Sequence, residues 1–241
     1  MSINEFNNPK FRELYKKTPI TFPYVVFPKL LELLGDIKGK KVLDLGCCWG
    51  NFSLMLANKG ANVTGIDISK ERIEECKKLY GDVQNINFSV GDASNLINQK
   101  NKMFDVIIMN MVFIEIESKE KIKRILDEVS RVIKKEGVFL FTDIHPADRI
   151  VSKTTTREHK FLPDFSYFKN GTKFKSKVLL NDGSFIEFTD FNWTLETYTT
   201  LINEAGFYIY RIIEPKPIPS SPQIFKDYPF PKYLLFCCKK F

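Results

Sequence analysis

Three aspartates stand at the ends of short apolar runs in the first half of the chain: Asp44 in "VLDLGCCWG", Asp67 in "VTGIDIS" and Asp92 in "VGDAS". Each run reads as a buried strand, and an open parallel sheet brings the carboxyl ends of its strands to one edge, where ligands bind. The turn after the first run carries Gly46 and Gly50 and opens a helix, so it presents free backbone N–H groups. It lacks the lysine and hydroxyl of a G-x-x-x-x-G-K-[ST] phosphate loop and the full glycine set of G-x-G-x-x-G. A carboxylate at Asp44 opposes a pyrophosphate and suits an ammonium or sulfonium. Asp67 can accept hydrogen bonds from both hydroxyls of a ribose, and Asp92 can accept one from an adenine amino group. Together the three acids describe a ligand with a cationic end, a ribose and a base.

The elements that must position these acids are legible as an alternation of strands and helices. Strands are expected at 42–45, 63–66, 86–90, 104–109 and 138–142, with amphipathic segments between them, the pattern of a parallel sheet covered by helices. Ser69 is an N-cap for a helix with Ile73, Cys76 and Leu79 on one stripe, and Gly81 is expected as its left-handed stop. Ser118 begins a second helix with Ile122, Ile125, Leu126, Val129, Val132 and Ile133 at helical spacing, expected to run to Gly137. From His145 to Trp193 the rhythm breaks. "KFKSKVLL", "NDG" and "SFIEFTDF" read as an antiparallel hairpin inserted as a cover. A helix over 194–205 closed by Gly206, a strand over 207–213, a proline-rich ordered excursion and a last strand over 233–238 complete the chain. "FPKLLELLG" is a short helix expected to pack on the sheet or over its ligand edge. The expected division is 1–36 as an N-terminal helical cover, 37–145 as a ligand-binding core, 146–192 as the cap and 193–241 as the closing helix and strands of one domain.

S-adenosylmethionine has the cationic end, ribose and base that the acids call for. At this point the chain resembles the class I S-adenosylmethionine-dependent methyltransferases, of the small-molecule type: "VLDLGCCWG" is similar to their first motif, "GIDIS" to the second, "GDA" to the third, and "FDVIIMNMVFIEI" to the fourth strand and its sequel. "RVIKKEGVFLFTDIHP" resembles the helix and fifth strand that follow. The resemblance implies an α/β, Rossmann-like, doubly wound fold: a mostly parallel seven-stranded sheet, helices on both faces, and the hairpin cap after the fifth strand. It further implies that Asp44, Gly46, Cys47, Cys48 and Gly50 surround the methionine part of the cofactor and that Asp67 holds the ribose, with Ile68 flanking the adenine. Asp92 and Ala93 would read the adenine edge, and Asn110 and Met111 would lie beneath the sulfonium. Cys48 stands where the family's middle glycine is usual, so its backbone must be permitted there or its side chain must narrow the site. Gly50 is equally explained as a helix-packing glycine.

Methyl transfer needs an acceptor held in line with the methyl group and, where the acceptor carries a proton, a base. His145 follows the fifth strand in "FTDIHPAD" and is the candidate catalytic residue; His159 falls in the insertion. Glu115, Asp143, Tyr15, Tyr24 and Tyr167 are candidate walls of the substrate pocket. The cysteines form no C-x-x-C, so no metal site or disulfide framework is expected, and Cys47 and Cys48 read as small apolar fillers.

The chain has 241 residues, 44% of them hydrophobic, and its 36 basic and 29 acidic residues leave a net charge of +7. The lysines are scattered, so the charge reads as surface solubility and nucleic acid is disfavoured as a partner. No apolar run approaches a membrane span and the first residues are polar, so a cytoplasmic monomer or homodimer without a membrane partner is expected. The expected activity is methylation of a small-molecule N, O or C acceptor, with S-adenosylhomocysteine as the product. Three alternatives stand beside it: an RNA or tRNA methyltransferase, a non-methylating cyclisation or elimination using the same cofactor, and a cofactor-binding regulatory subunit without catalysis.

Overall fold

The computed structural model describes residues 17–150, 156–163, 165–225 and 230–241. In chain order the elements are α1 (Phe27–Leu34), β1 (Lys41–Leu45), α2 (Asn51–Asn58), β2 (Asn62–Asp67), α3 (Lys70–Tyr80), β3 (Ile86–Val90), β4 (Phe104–Asn110), α4 (Lys119–Val132), β5 (Ile133–Ile144), α5 (Pro146–Ile150), β6 (Arg157–Lys160), β7 (Thr172–Leu179), β8 (Phe185–Asn192), α6 (Leu195–Glu204), β9 (Phe207–Ile213) and β10 (Tyr233–Lys240). A seven-stranded sheet has the order β3-β2-β1-β4-β5-β10-β9. Its first five strands are parallel, and β10 runs antiparallel to both of its neighbours. After β1 the chain steps to β2 on one side, while β4 lies on the other. That switch opens a crevice beyond the carboxyl ends of β1 and β4.

Alternate residues of the central strands feed two separate cores. Ile107, Phe139 and Phe141 pack with Ile125 and Val129 of α4 and Leu201 of α6, whereas Val106, Ile108 and Leu140 pack with Leu30 of α1 and Leu56 of α2. Helices therefore cover both faces. The helix starts follow the caps expected: the Ser69, Ser118 and Thr194 side chains accept from Arg72, Lys121 and Thr197 N–H. In α4 the residues Ile122, Ile125, Leu126, Val129 and Val132 are all fully buried, each worth about 1.5–3 kcal/mol over exposure.

Two helix ends differ from the sequence-based expectation. Helix α4 stops at Val132, and Ile133 is already extended at ψ 145°. The N–H groups of Lys102 and Met103 take the Arg131 and Val132 carbonyls, at 3.0 and 2.7 Å. With those carbonyls satisfied, Ile133 starts β5 and pairs with Phe104. Gly137 thus lies inside β5, where a Cβ would come within 2.5 Å of Ile133 Cγ1. Gly81 is not a left-handed stop: its φ is −59°, and glycine serves there because a Cβ would meet the Lys77 carbonyl oxygen at 2.4 Å.

The insertion is a three-stranded antiparallel sheet of order β6-β7-β8, one strand more than the expected hairpin. Its register puts Arg157 and His159 opposite Val178 and Ser176, and Val178, Ser176 and Phe174 opposite Ile186, Phe188 and Asp190. These residues share the inner face, while Lys173, Lys175 and Lys177 alternate on the exposed outer face. The segment before α1 clasps this cap: Ile20 N–H donates to the Leu179 carbonyl at 3.1 Å, and Asn181 N–H to the Thr18 carbonyl at 3.2 Å. Asn51 Nδ2 at the start of α2 donates to Thr18 Oγ1 at 2.6 Å. Among the described residues no helix is long and apolar enough to cross a membrane.

Candidate functional site

The crevice beyond β1 and β4 is a cavity of about 370 Å³, floored by the strand ends and roofed by the inner face of the cap. At its floor the chain leaves β1 through a turn built around Asp67. Gly46 and Cys47 N–H donate to the Ile66 carbonyl at 2.7 and 3.1 Å, and Cys48 N–H donates to Asp67 Oδ2 at 2.9 Å. Ser69 N–H donates to Asp67 Oδ1 at 2.9 Å. Gly46 has φ 79°, and a Cβ on it would lie 2.5 Å from Val112 Cγ2. Cys48 takes φ 51°, a left-handed conformation that costs a side-chain-bearing residue about 1–2 kcal/mol. The Asp67 bond to its N–H and the Cys76 thiol on its carbonyl, at 3.4 Å, hold it there.

Asp44 is buried with Ser53 Oγ donating to its Oδ2 at 2.6 Å. Burial pushes its carboxyl up to about 6; the Ser53 bond opposes the rise and the Asp67 charge adds to it. No cation is within salt-bridge distance of Asp44 among the described residues, so its charge is left uncompensated on the cavity floor. Asp92 behaves in the opposite way. Partial burial pushes it up, but the Ser94 N–H and hydroxyl and the Lys121 ammonium hold it below the usual carboxylate range. Glu115 follows β4 on a short 3-10 turn, lines the cavity and is exposed to solvent. Crowding by protein pushes it up to about 7 against the pull of Arg72, with Asp190 and Asp67 adding to the rise. Burial likewise lifts the Cys48 thiol to about 12, and a hydrogen bond with Cys76 together with burial lifts Cys47. Both are held as neutral thiols, unsuited to nucleophilic work.

Of the residues expected around the cofactor, Asp44, Gly46, Cys47, Cys48, Asp67, Ile68, Asp92, Ala93, Asn110 and Met111 line this one cavity. Gly50 does not. It caps α2 at φ 73°, where a Cβ would strike Phe88 at 2.9 Å and Cys76 at 3.1 Å, so it allows α2 to approach β3 and α3. Of the expected substrate residues that the structure describes, only Glu115 lines the cavity. Asp143 is buried behind it, bonded to the Tyr198 hydroxyl and the Ile144 N–H and 3.6 Å from Arg149. Tyr24 packs its ring 5.6 Å from that of Phe225. Tyr167 accepts from Leu195 N–H at the start of α6, and Tyr15 lies outside the described residues. The structure does not bring His145 to the cavity either: its Nδ1 accepts from Ala147 N–H at 2.9 Å and its Nε2 faces Glu214 at 3.1 Å.

Sequence reasoning expected the insertion as a cover but missed the residues of the roof that face the cavity. Arg157 from β6 and Ile186, Phe188 and Asp190 from β8 line the cavity, as do Arg72 and the apolar wall of Phe22, Phe27 and Phe52. The alternation in "SFIEFTDF" carried the signal for β8, since Ile186, Phe188 and Asp190 share one parity. Trp49 stands at the mouth with Lys17 Nζ 4.5 Å from its ring centre.

A family model described as a methyltransferase domain matches residues 36–205. A Bacillus subtilis protein named as a methyltransferase, YqeM, is 26% identical over 235 residues, covering 89% of this chain and 94% of its own length. The fatty-acid O-methyltransferase of Mycolicibacterium smegmatis is 33% identical over 116 residues, which is 46% of this chain and 39% of that enzyme. Among solved structures, an S-adenosylmethionine-dependent methyltransferase of Listeria monocytogenes is similar, with a TM-score of 0.66 and 25% identity over 89% of this chain and 97% of its own. One from Mesorhizobium loti shares the fold at a TM-score of 0.66 and 19% identity, over 88% and 96% of the two chains.

Proposed function

The chain belongs to the class I S-adenosylmethionine-dependent methyltransferases, and from that membership we propose that it methylates an N, O or C atom of a small molecule enclosed beneath its cap. The carrying observation is the roofed cavity: about 370 Å³ with walls from the strand ends, the N-terminal segment and the inner face of the cap, a size and enclosure that suit a metabolite. The reading treats residues 1–36, 37–145, 146–192 and 193–241 as N-terminal cover, cofactor core, cap and closing elements of one domain.

The residues present fit the cofactor. Asp44 is a buried carboxyl without a cationic partner among the described residues, and a ligand's ammonium or sulfonium would supply one. Each Asp67 oxygen already accepts one backbone N–H and keeps a further lone pair, enough for the two hydroxyls of a ribose. Gly46 lets the Val112 side chain pack against the turn, since a Cβ there would lie 2.5 Å from Val112 Cγ2. Ile68 is 67% exposed on the cavity side, a flat apolar contact for the base, with Asp92 and Ala93 at its edge. Asn110 and Met111 flank the reacting region at the end of β4. When bound, S-adenosylmethionine supplies an electrophilic methyl group on a sulfonium. The chain's own work is to align the acceptor and exclude water: Phe22, Phe27, Phe52 and Phe188 give the acceptor an apolar seat, and Glu115 offers it a carboxyl that titrates near neutrality.

The test is incubation with methyl-labelled S-adenosylmethionine and a metabolite extract, following both the label and the adenosine product. S-adenosylhomocysteine with label in a small metabolite is expected. Label in RNA, methylthioadenosine as the product, or binding without any turnover would each overturn the reading.

A further inference from the structure

The cap has a second face that the methyl-transfer reading leaves unused. Its inner residues roof the cavity, and by the same register Lys160 of β6, Lys173, Lys175 and Lys177 of β7 and Phe185 of β8 point outward. All five are exposed. Glu158 and Glu187 share this face, and Glu187 is matched by Lys175 at 3.3 Å. Lys177 Nζ lies 5.0 Å from the centre of the Phe185 ring. At one end of the cap sheet, the loop between β6 and β7 adds an exposed Lys169 together with Leu162 and Phe168, which are 52% and 86% exposed. At the other end Phe185, beside the turn between β7 and β8, is 51% exposed. Large apolar side chains therefore stand at both ends of the lysine row.

We propose that this outer face docks the protein on an anionic phospholipid bilayer. The occupant follows from the charge and from the side chains that accompany it. Among the described residues, Lys160, Lys169, Lys173, Lys175 and Lys177 stand against Glu158, Glu187 and Asp182 of the turn, so the face is positive. Each ammonium near an anionic leaflet adds to the attraction. Lysine stems can lie along apolar surface while their charged heads stay among the headgroups, and Leu162, Phe168 and Phe185 supply the apolar contact. Single exposed apolar residues are ordinary on a protein surface; bracketing one lysine-bearing face at both ends distinguishes these. A surface contact needs no spanning segment. It therefore accords with the lack of a long apolar helix among the described residues and revises the expectation of a protein without a membrane partner.

The lysines would also draw a nucleic acid, but the rest of the face suits one less well. Leu162 offers no ring on which a base could stack. None of the outward residues is an arginine, the side chain that grips a phosphate with two parallel bonds. The apolar surface also continues inward. Ile186, next to Phe185, is 37% exposed and lines the cavity, and Phe188 follows it there on the same face of β8. A bilayer held against the cap thus lies beside an apolar path into the cavity, for which a polyanion has no use. The docking itself requires no methyl transfer, so its outcome is separate from that reading.

The test is co-sedimentation of the full chain with vesicles of phosphatidylcholine, either alone or mixed with about one third phosphatidylglycerol. Binding is expected to the anionic vesicles only, and it should fade between about 0.05 M and about 0.5 M sodium chloride. Combining Lys173→Gln, Lys175→Gln and Lys177→Gln should weaken that binding at least about tenfold, and Phe168→Ser, in the loop outside the sheet, by about threefold. Lys38, Lys40 and Lys59 are exposed at the opposite end of the parallel sheet, where β1 and β2 begin. Changing these three to Gln removes the same charge and should leave binding within about twofold. Every substituted position is exposed, and thermal unfolding checks that each variant keeps the fold. A wild type that does not sediment with the anionic vesicles overturns the proposal. Equal losses in the two triple variants mean attraction by overall charge and overturn it too. Binding to a single-stranded oligouridylate and not to vesicles, with the same dependence on Lys173, Lys175 and Lys177, gives the face to nucleic acid and likewise overturns it.

Discussion

Replacing Asp44 by asparagine should stabilise the cofactor-free protein and weaken its hold on a cationic cofactor at the same time. The folded protein raises this carboxyl from 3.8 to about 6, and two pKa units correspond to about 3 kcal/mol. The sign is that of a raised acid. The unfolded chain gives up its proton first, so the penalty on the fold is absent below about pH 4, grows through pH 4 to 6, and is complete above about pH 6. Asparagine removes the charge but keeps an oxygen for the Ser53 hydroxyl. The variant should therefore gain up to about 3 kcal/mol at pH 8, or on the order of 6–12 °C in Tm for a chain of this size, and roughly half of that at pH 5. Thermal unfolding of both proteins without cofactor measures the gain. Titration calorimetry at pH 8 should then show at least about tenfold weaker binding of S-adenosylmethionine, with a smaller loss for S-adenosylhomocysteine, which lacks the sulfonium charge. A Tm gain equal at both pH values, or equal losses of affinity for the two ligands, would refute the assignment of an uncompensated carboxylate waiting for a cation.

Asp67→Ala should weaken S-adenosylmethionine by about 1–3 kcal/mol, as expected when two ribose hydroxyls and two backbone N–H groups lose their acceptor; unchanged affinity in calorimetry removes Asp67 from the ribose site. Cys48→Gly relieves a left-handed cysteine and adds unfolded-state freedom, so its stability should change by less than about 1 kcal/mol. Its cofactor affinity should stay within about threefold, because the thiol is neutral and the N–H bond to Asp67 is retained. A large loss of affinity on that substitution would show that the Cys48 side chain itself shapes the methionine end.

The floor of the cavity was legible because its determinants are local. Asp44, Asp67 and Asp92 each terminate an apolar run, and a parallel sheet brings such ends together whatever the details of packing. The rest of its lining was not, and the reason is parity. β5 is buried on both faces through its last residues, so no hydrophobic alternation tells which way Asp143 points or where His145 goes. The structure turns Asp143 toward Tyr198 of α6 and His145 toward Glu214 after β9, both away from the cavity. In the cap the alternation was visible in the sequence, but which parity faced a ligand depends on how the cap sheet lies over the crevice. The boundary between α4 and β5 was obscured for a different reason: Ile133 continues the helical stripe, and only the two N–H groups of Lys102 and Met103 decide that the helix has ended.

The few residues around Thr18 join parts of the molecule that chain order keeps far apart. Thr18 accepts from Asn51 at the start of the cofactor-side helix and from Asn181 in the cap turn, while Thr21 Oγ1 meets the Tyr233 hydroxyl of β10 at 2.5 Å. One short segment is therefore shared by the floor and the roof of the same cavity. Ordering it for one ligand spares the second ligand that entropy, and thermodynamic reciprocity makes the effect equal whichever arrives first. Cofactor and acceptor should then bind as a cooperative pair, and Asn51→Ala, which cuts the fastener on the floor side, should reduce that cooperativity toward independent binding.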